Sequence, residues 1–287
     1  MARLGAAGEA LRAAVSRWPF GIGRHRIPGV LGAALRRRGE PLVEARGPGG
    51  VVLPFLSEDL PHPAFWGLYE RGVRRVLEES LRPGDAFVDL GAHRGFHTGL
   101  GLSLVGPTGL VVAVEPLPGN LECLRRLASL NPDRRVEVVA AAAAREPGEA
   151  RLRVAEHAML SSIARRGAVP EGTTVLPVPA VTLDGIWERY LRDGPAGRRV
   201  TVKIDVEGAE EDVLAGGAAA LADRARLRTL VVECAGGMRP QARARSLGMA
   251  DLLRNAGFAI RALDKDGGAR PWTDADSEKS LYLLATR

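Results

Sequence analysis

Apolar residues in this chain gather into short unbroken runs, and between the runs they recur every three or four positions. Phe87-Val88 leads into Asp89-Leu90-Gly91, Leu110 to Val114 forms a second run, and Val136 to Val139 a third. Val200 to Ile204 and Leu227 to Val232 repeat the theme further on. Bounded by Gly, Pro and charged residues, these runs predict buried strands. Leu121, Leu124, Leu127 and Leu130 recur at helical spacing over residues 119–130, and residues 241–255 predict another helix. Phe258 to Leu263 and Leu281 to Ala285 predict a closing antiparallel pair, whereas the small residues Ala140 to Ala144 read as a packed loop. Apolar strands alternating with helices predict an α/β fold, a doubly wound and mostly parallel sheet with helices on both faces.

Ligands of such sheets sit at the carboxyl ends of the strands. That is where the acids fall: Asp89, Glu115, Asp205 and Glu233 each close a predicted strand. After Asp89 comes a turn with Gly91 and Gly95, then the start of a helix at Phe96-His97-Thr98. A helix N-terminus offers free N–H groups, and glycines admit a ligand close to the main chain. Dinucleotides and S-adenosylmethionine both use turns of this kind. The spacing Asp89-x-Gly91-x-x-x-Gly95 departs from the dinucleotide fingerprint Gly-x-Gly-x-x-Gly. A carboxylate repels a pyrophosphate but attracts the α-ammonium of S-adenosylmethionine, so the methyl donor is the expected cofactor and an NAD-binding oxidoreductase the weaker alternative. Glu115 is placed to accept both ribose hydroxyls, or else to cap the helix that begins near Pro118.

Three segments carry a resemblance to a known family. They are Val88-Asp-Leu-Gly-Ala-His-Arg-Gly-Phe-His-Thr98, Val114-Glu-Pro-Leu-Pro-Gly-Asn120 and Val202-Lys-Ile-Asp-Val-Glu-Gly-Ala-Glu210, with looser matches at Val181-Thr-Leu-Asp184 and Val232-Glu233. The chain resembles the FkbM-type methyltransferases, a class I, S-adenosylmethionine-dependent family, and the third segment is the most distinctive. The resemblance implies a seven-stranded, Rossmann-like methyltransferase domain at residues 65–287, behind an N-terminal basic extension or lid at 1–64 with helical character. It implies cofactor contacts from Glu70, from Asp89, Gly91, Ala92, His93, Gly95 and Thr98 in the first turn, and from Glu115, Pro116 and Asn120 in the second. The Ser161-Ser162 element and Asp205 complete that set. His93 stands where the family usually has Asn, and His97 where an aromatic residue is common. The implied acceptor is a hydroxyl of a sugar or polyketide-like small molecule, in natural-product or glycan biosynthesis.

Methyl transfer from a sulfonium is an in-line displacement, so the protein must align the acceptor and take its proton. Asp205 and Glu233, on neighbouring strand ends, and His97 are the candidate catalytic residues. Hard oxygen ligands of this kind suit Mg²⁺, which the resemblance permits at Asp205 and Glu233 without requiring. The plainer reading of Asp205, Glu207 and Glu210 is that they stabilise the N-terminus of the following helix, and for Glu210 it is preferred. His62 and His157 lie in segments expected to border the acceptor pocket. Trp66 and Tyr69 offer a second reading of the region around Glu70, as a staple docking a helix on the sheet. An N-methyltransferase acting on an amino sugar or peptide and a catalytically silent scaffold compete with the O-methyltransferase reading.

Composition adds little to this. At 287 residues there is room for one large domain and an extension. No apolar run is long enough to span a bilayer, and no signal peptide is recognisable, so a cytoplasmic location is expected. The net charge of +6 resides in residues 1–46, which carry nine Arg against Glu9, Glu40 and Glu44. No nucleic-acid motif accompanies it, and a nucleic-acid partner is not expected. Cys123 and Cys234 read as buried free thiols. A dimer is compatible with the sequence, which leaves the oligomeric state open.

Overall fold

The structure, a computed structural model, describes residues 2–3, 6–16, 42–60, 62–154, 162–163, 174–234, 240–264 and 268–287. The chain opens with β1 (Ala2–Arg3), α1 (Ala6–Ser16), β2 (Leu42–Arg46) and β3 (Val52–Leu56). The following α2 (Arg71–Ser80) leads into β4 (Ala86–Leu90), α3 (Phe96–Val105), β5 (Leu110–Glu115), α4 (Pro118–Leu130) and β6 (Val136–Ala140). Four strands come next, β7 (Ala142–Ala143), β8 (Gly148–Val154), β9 (Ser162–Ile163) and β10 (Thr174–Val181), then the short helix α5 (Leu183–Ile186). The rest is β11 (Val200–Ile204), α6 (Glu210–Ala215), α7 (Ala218–Ala222), β12 (Leu227–Cys234), α8 (Pro240–Asn255), β13 (Ala259–Leu263), β14 (Ala269–Pro271) and β15 (Leu281–Thr286).

The central sheet has the order β14-β13-β15-β12-β11-β4-β5-β6. Strands β12, β11, β4, β5 and β6 are parallel to their neighbours, and β15 inserts antiparallel between β12 and β13. These are the seven expected strands, including the closing antiparallel pair, with the short β14 added at one edge. From β4 the chain moves outward to β5 and β6, then returns to place β11 on the other side of β4. The switch point, where a ligand crevice opens in such sheets, therefore lies between β4 and β11.

Strand periodicity divides the core. Ala86, Val88 and Leu90 of β4, with Val202 and Ile204 of β11, pack on one face against α5, α6 and α8 through Leu183, Val213 and Leu253. Phe87 and Val111 pack on the other, against Val73, Val76 and Leu77 of α2 and Leu100 and Leu102 of α3. Asp89 and Lys203 share the parity of Phe87 and are register partners across β4 and β11. Two charged side chains are thus placed side by side within a buried face.

Two expectations need revision. The extension does not end cleanly at 64: Val15, Val43, Ala45, Val51, Leu53, Phe55 and Leu60 belong to the same core as Phe87 and Leu127. Asn131 ties β3 to the end of α4 by bonding both N–H and C=O of Val52, and Glu44 pairs with Arg126 at 2.6 Å. Second, Ala140 to Ala144 is not a loop. Residue 140 ends β6, and Ala142-Ala143 pair with the end of β10 in a separate four-stranded sheet, order β7-β10-β8-β9. Alanine's low strand preference is overridden by tertiary packing beside Leu117, Leu152 and Val178.

Candidate active site

The turn after β4 is shaped by the strand beside it. Gly91 has φ +80, and a methyl group there would stand 1.8 Å from the carbonyl oxygen of Asp205. The Asp205 N–H in turn donates to the Leu90 carbonyl at 3.0 Å. Gly95, with φ +87, would bring an added Cβ to 2.9 Å from Leu124 Cδ2 of α4. Both glycines therefore answer the protein's own packing: one lets β11 close on the turn, the other lets α4 close on α3.

A cavity of about 550 Å³ opens over this turn, within the usual range for a small-molecule site. One end is bordered by Glu115, Pro116, Asn120 and an apolar wall of Leu117, Ala142, Ala143 and Leu152; the other by Glu70, Lys203, Asp205, Glu207 and Glu233. Gly91, Ala92, His93, Gly95, His97 and His62 lie along its length. The described non-glycine residues with left-handed backbone are Glu70 (φ 41), His93 (φ 50) and Glu207 (φ 55), and all three line the cavity. Such conformations cost about 1–3 kcal/mol each and gather where a surrounding structure holds a functional geometry.

At the first end, Glu115 is buried and bonded on both oxygens. Its Oε2 accepts the His93 N–H at 2.9 Å, and its Oε1 accepts the Leu117 N–H and Asn120 Nδ2, each at 3.0 Å. Burial pushes this carboxyl above its ordinary range, against the pull of those donors. Each oxygen has two lone pairs, so Oε2 keeps capacity for a hydroxyl. Glu115 thus joins the two turns and supports the start of α4, while still facing the cavity.

At the other end, Lys203 is buried, with Nζ 2.9 Å from Asp205 Oδ2 and 3.8 Å from Asp89 Oδ1. Burial disfavours its charge, yet Asp205, Asp89 and Glu70 together raise its pKa well above the ordinary lysine range. Tyr282 Oη approaches Asp205 Oδ2 at 3.5 Å. Glu233 follows Val232, the register partner of Ile204, so the Asp205 and Glu233 carboxyls meet and hydrogen-bond. Burial, and then the Asp205 charge, push Glu233 well above the carboxylate range. Glu207, at the rim, is pushed up to about 7 by partial burial and Asp205. Glu70 Oε2 accepts from His97 Nε2 at 2.8 Å; burial opposes its ionisation, but His97, Lys203 and Tyr282 together outweigh this and hold it down at about 2. Glu210 accepts the Val206 and Gly208 N–H groups, the expected helix-start role.

Residues 89–260 match the Methyltransferase FkbM domain, a span that includes both turns and the carboxyl-rich end. The chain belongs to the FkbM methyltransferase family. No curated protein matches the sequence. Among solved structures, an FkbM methyltransferase from Methylobacillus flagellatus is similar at 16% identity and TM-score 0.43, over 80% of this chain and 54% of that one. An rRNA methylase from Streptococcus thermophilus is similar at 12% identity and TM-score 0.40, over 74% and 91%. Aeropyrum pernix fibrillarin, solved with bound S-adenosyl-L-methionine, is similar at 13% identity and TM-score 0.37, over 75% and 73%.

Most of the residues expected in the site of this FkbM methyltransferase line its cavity. Asp89 and Thr98 do not. Thr98 Oγ1 donates to Asp89 Oδ2 at 2.7 Å, both side chains are wholly buried beneath the turn, and Asp89 Oδ1 lacks a hydrogen-bond donor. Asp89 reaches the cavity only through Lys203. His97 Nδ1 and His93 Nε2 are buried without partners. Ser161 and His157 lie outside the described residues, as does the side chain of Ser162. Trp66 fulfils the docking alternative, donating Nε1 to Leu60 at 2.7 Å within the core, while Tyr69 and Glu70 line the cavity.

Sequence reasoning missed Lys203, Arg94 and Tyr282. A signal for the first was present: lysine occurs only at 203, 265 and 279, and one of those three interrupts an apolar strand. Arg94 pairs with Glu58 at 2.8 Å and with Asp59, joining the N-terminal segment to the turn. Cys123 and Cys234 are buried and free. Among the described residues no helix is long and apolar enough to cross a membrane.

Proposed function

We propose that this FkbM methyltransferase transfers the methyl group of S-adenosylmethionine to a hydroxyl of a sugar or polyketide-like small molecule. The observation that carries the reading is the Asp205–Glu233 carboxyl pair, set by adjacent strand ends at one end of a cavity whose other end is Glu115. The cavity suits an elongated nucleoside–amino acid cofactor. Glu115 Oε2 has capacity for the ribose, the wall of Leu117, Ala142, Ala143 and Leu152 suits an adenine face, and the carboxyl-rich end suits an α-ammonium.

When bound, the donor supplies a methyl carbon already activated by its sulfonium. The protein's own task is to place an acceptor oxygen in line with that carbon and take its proton as the C–O bond forms. Asp205 is the group for this: its charge is paired with Lys203, and it borders the cavity next to the turn. Mg²⁺ at this end would need carboxylate oxygens not already held by a cation. Asp205 Oδ2 is taken by Lys203 at 2.9 Å. Metal-independent transfer is the reading adopted here.

An amine acceptor is a second reading, favoured by one feature: Glu70, Asp205, Glu207 and Glu233 all border the same end and would attract a cation. Calorimetry tests the common ground. Titration with S-adenosylhomocysteine is expected to show saturable binding in the micromolar range, about −8 kcal/mol or weaker, with no response to NAD. Saturable NAD binding without S-adenosylhomocysteine binding would overturn the assignment.

A further inference from the structure

Lysine is a poor choice for the middle of a buried strand, because its charge must be taken out of water. Lys203 nonetheless lies in β11 with 2% of its surface exposed, in a chain that otherwise uses arginine almost throughout. Its neighbours in β11 are apolar or small, and the parity of the strand forces its side chain onto the face it shares with Asp89, its register partner. The ammonium then lies 2.9 Å from Asp205 and 3.8 Å from Asp89. Asp89 Oδ2 is occupied by Thr98 and its Oδ1 has no hydrogen-bond donor; burial pushes this carboxyl upward, and the lysine is the cation that opposes that push.

We propose that Lys203 is a positioning residue: its ammonium fixes which carboxyl of the Asp205–Glu233 pair carries the charge, and ties that carboxylate to Asp89 beneath the cofactor turn. The inference rests on the proposed role of Asp205 and extends it to a residue that does not itself touch the reacting atoms. One buried cation then sets both sides of the reaction. Through Asp205 it orients the group that receives the acceptor's proton; through Asp89 and Thr98 it braces the start of α3. Charge at this corner comes from every element around it. Asp89 belongs to β4, Glu207 and Glu210 follow β11, Glu233 ends β12, and Tyr282 lies on β15. Tyr69 and Glu70 precede α2, and His93 and His97 flank the start of α3. With carboxyls this numerous, the single ammonium decides how many protons the pair must hold.

Infrared spectroscopy of the full chain at pH 7 tests this without donor or acceptor. Wild-type protein is expected to show protonated-carboxyl intensity, part of which Glu233→Gln removes. Lys203→Met keeps most of the stem and deletes the charge; it is expected to gain a second protonated-carboxyl band, absent from the Lys203→Met/Asp205→Asn double variant. The added band should fade as the pH is raised, with S-adenosylhomocysteine affinity, weakened by at least about tenfold at pH 7, recovering in parallel. A lysine that only fills space predicts wild-type bands in Lys203→Met and an affinity loss that ignores pH, and that result would overturn the proposal. Should Lys203→Met fail to fold, folding of the neutral double variant would uphold the counter-charge role, and failure of both would refute it. Absence of S-adenosylhomocysteine binding by wild-type protein would sink the donor assignment alone, since the spectra are read without ligand.

Discussion

Gly91 shows how little latitude single positions have near this site. Gly91→Ala would force a left-handed conformation on a Cβ residue and push it into the Asp205 carbonyl. A loss of at least about 2 kcal/mol is expected, read as a lower denaturation midpoint. Asp205→Asn is nearly isosteric and leaves an amide oxygen for Lys203. Folding should survive, while methyl transfer to the native acceptor should fall by at least about a hundredfold, as for loss of a general base. Wild-type turnover should be indifferent to EDTA; loss with EDTA and recovery with Mg²⁺ would restore the metal alternative. Glu115→Ala should weaken donor binding by roughly 1.5–3 kcal/mol, the range for hydrogen bonds to a charged group. Because Glu115 also bonds His93, Leu117 and Asn120, its loss is expected to lower the melting temperature as well. An unchanged melting temperature would mean that those internal bonds contribute little.

Elements near the N-terminus are unequal in importance. Helix α1 contributes Val15 to the core, and its Arg12 donates to the Phe65 carbonyl at 3.3 Å and to that of Arg46. Strands β2 and β3 do more: they cover α3 and α4, and the loop after β3 supplies Glu58 and Asp59 to Arg94 in the cofactor turn. Deletion of residues 1–40 should therefore lower stability by about 2 kcal/mol, the scale of exposing one aliphatic side chain, while S-adenosylhomocysteine still binds. Deletion of residues 1–64 removes the hairpin and is expected to give insoluble protein. Equal behaviour of the two truncations in solubility and calorimetry would contradict the division.

For the whole molecule, stability against pH should be set by opposed carboxyls. Glu70 has its pKa held down at about 2, so its contribution is present above its ordinary 4.5 and lost as the pH falls through that interval. Glu233 is displaced the other way. Its contribution is full below 4.5 and lost as the pH rises above that value, with a slope of up to about 1.4 kcal/mol per pH unit. A melting-temperature profile should consequently fall on both sides of mild acidity. Glu233→Gln should flatten the alkaline arm and Glu70→Gln the acid arm; arms that ignore these substitutions would show that other groups govern the transition.

Sequence by itself determined the central sheet. Unbroken apolar runs such as Leu110 to Val114 have few alternatives to a buried parallel strand, and leucines at helical spacing in residues 119–130 have few alternatives to a helix packed on it. The same patterning placed Asp89, Glu115, Asp205 and Glu233 at or beside strand ends, along the carboxyl edge of the sheet where ligands of such folds bind. Tertiary structure decided what each acid does there. Asp89 turned inward to Thr98 and Lys203, and Gly91 proved to make room for Asp205, since only the pairing of β4 with β11 brings those residues together across more than a hundred positions. The hairpin of β2 and β3 and the strands β7 to β10 escaped notice because their alternation is weak and their partners lie far along the chain. Local pattern fixes which residues are buried; long-range pairing fixes which buried residues meet.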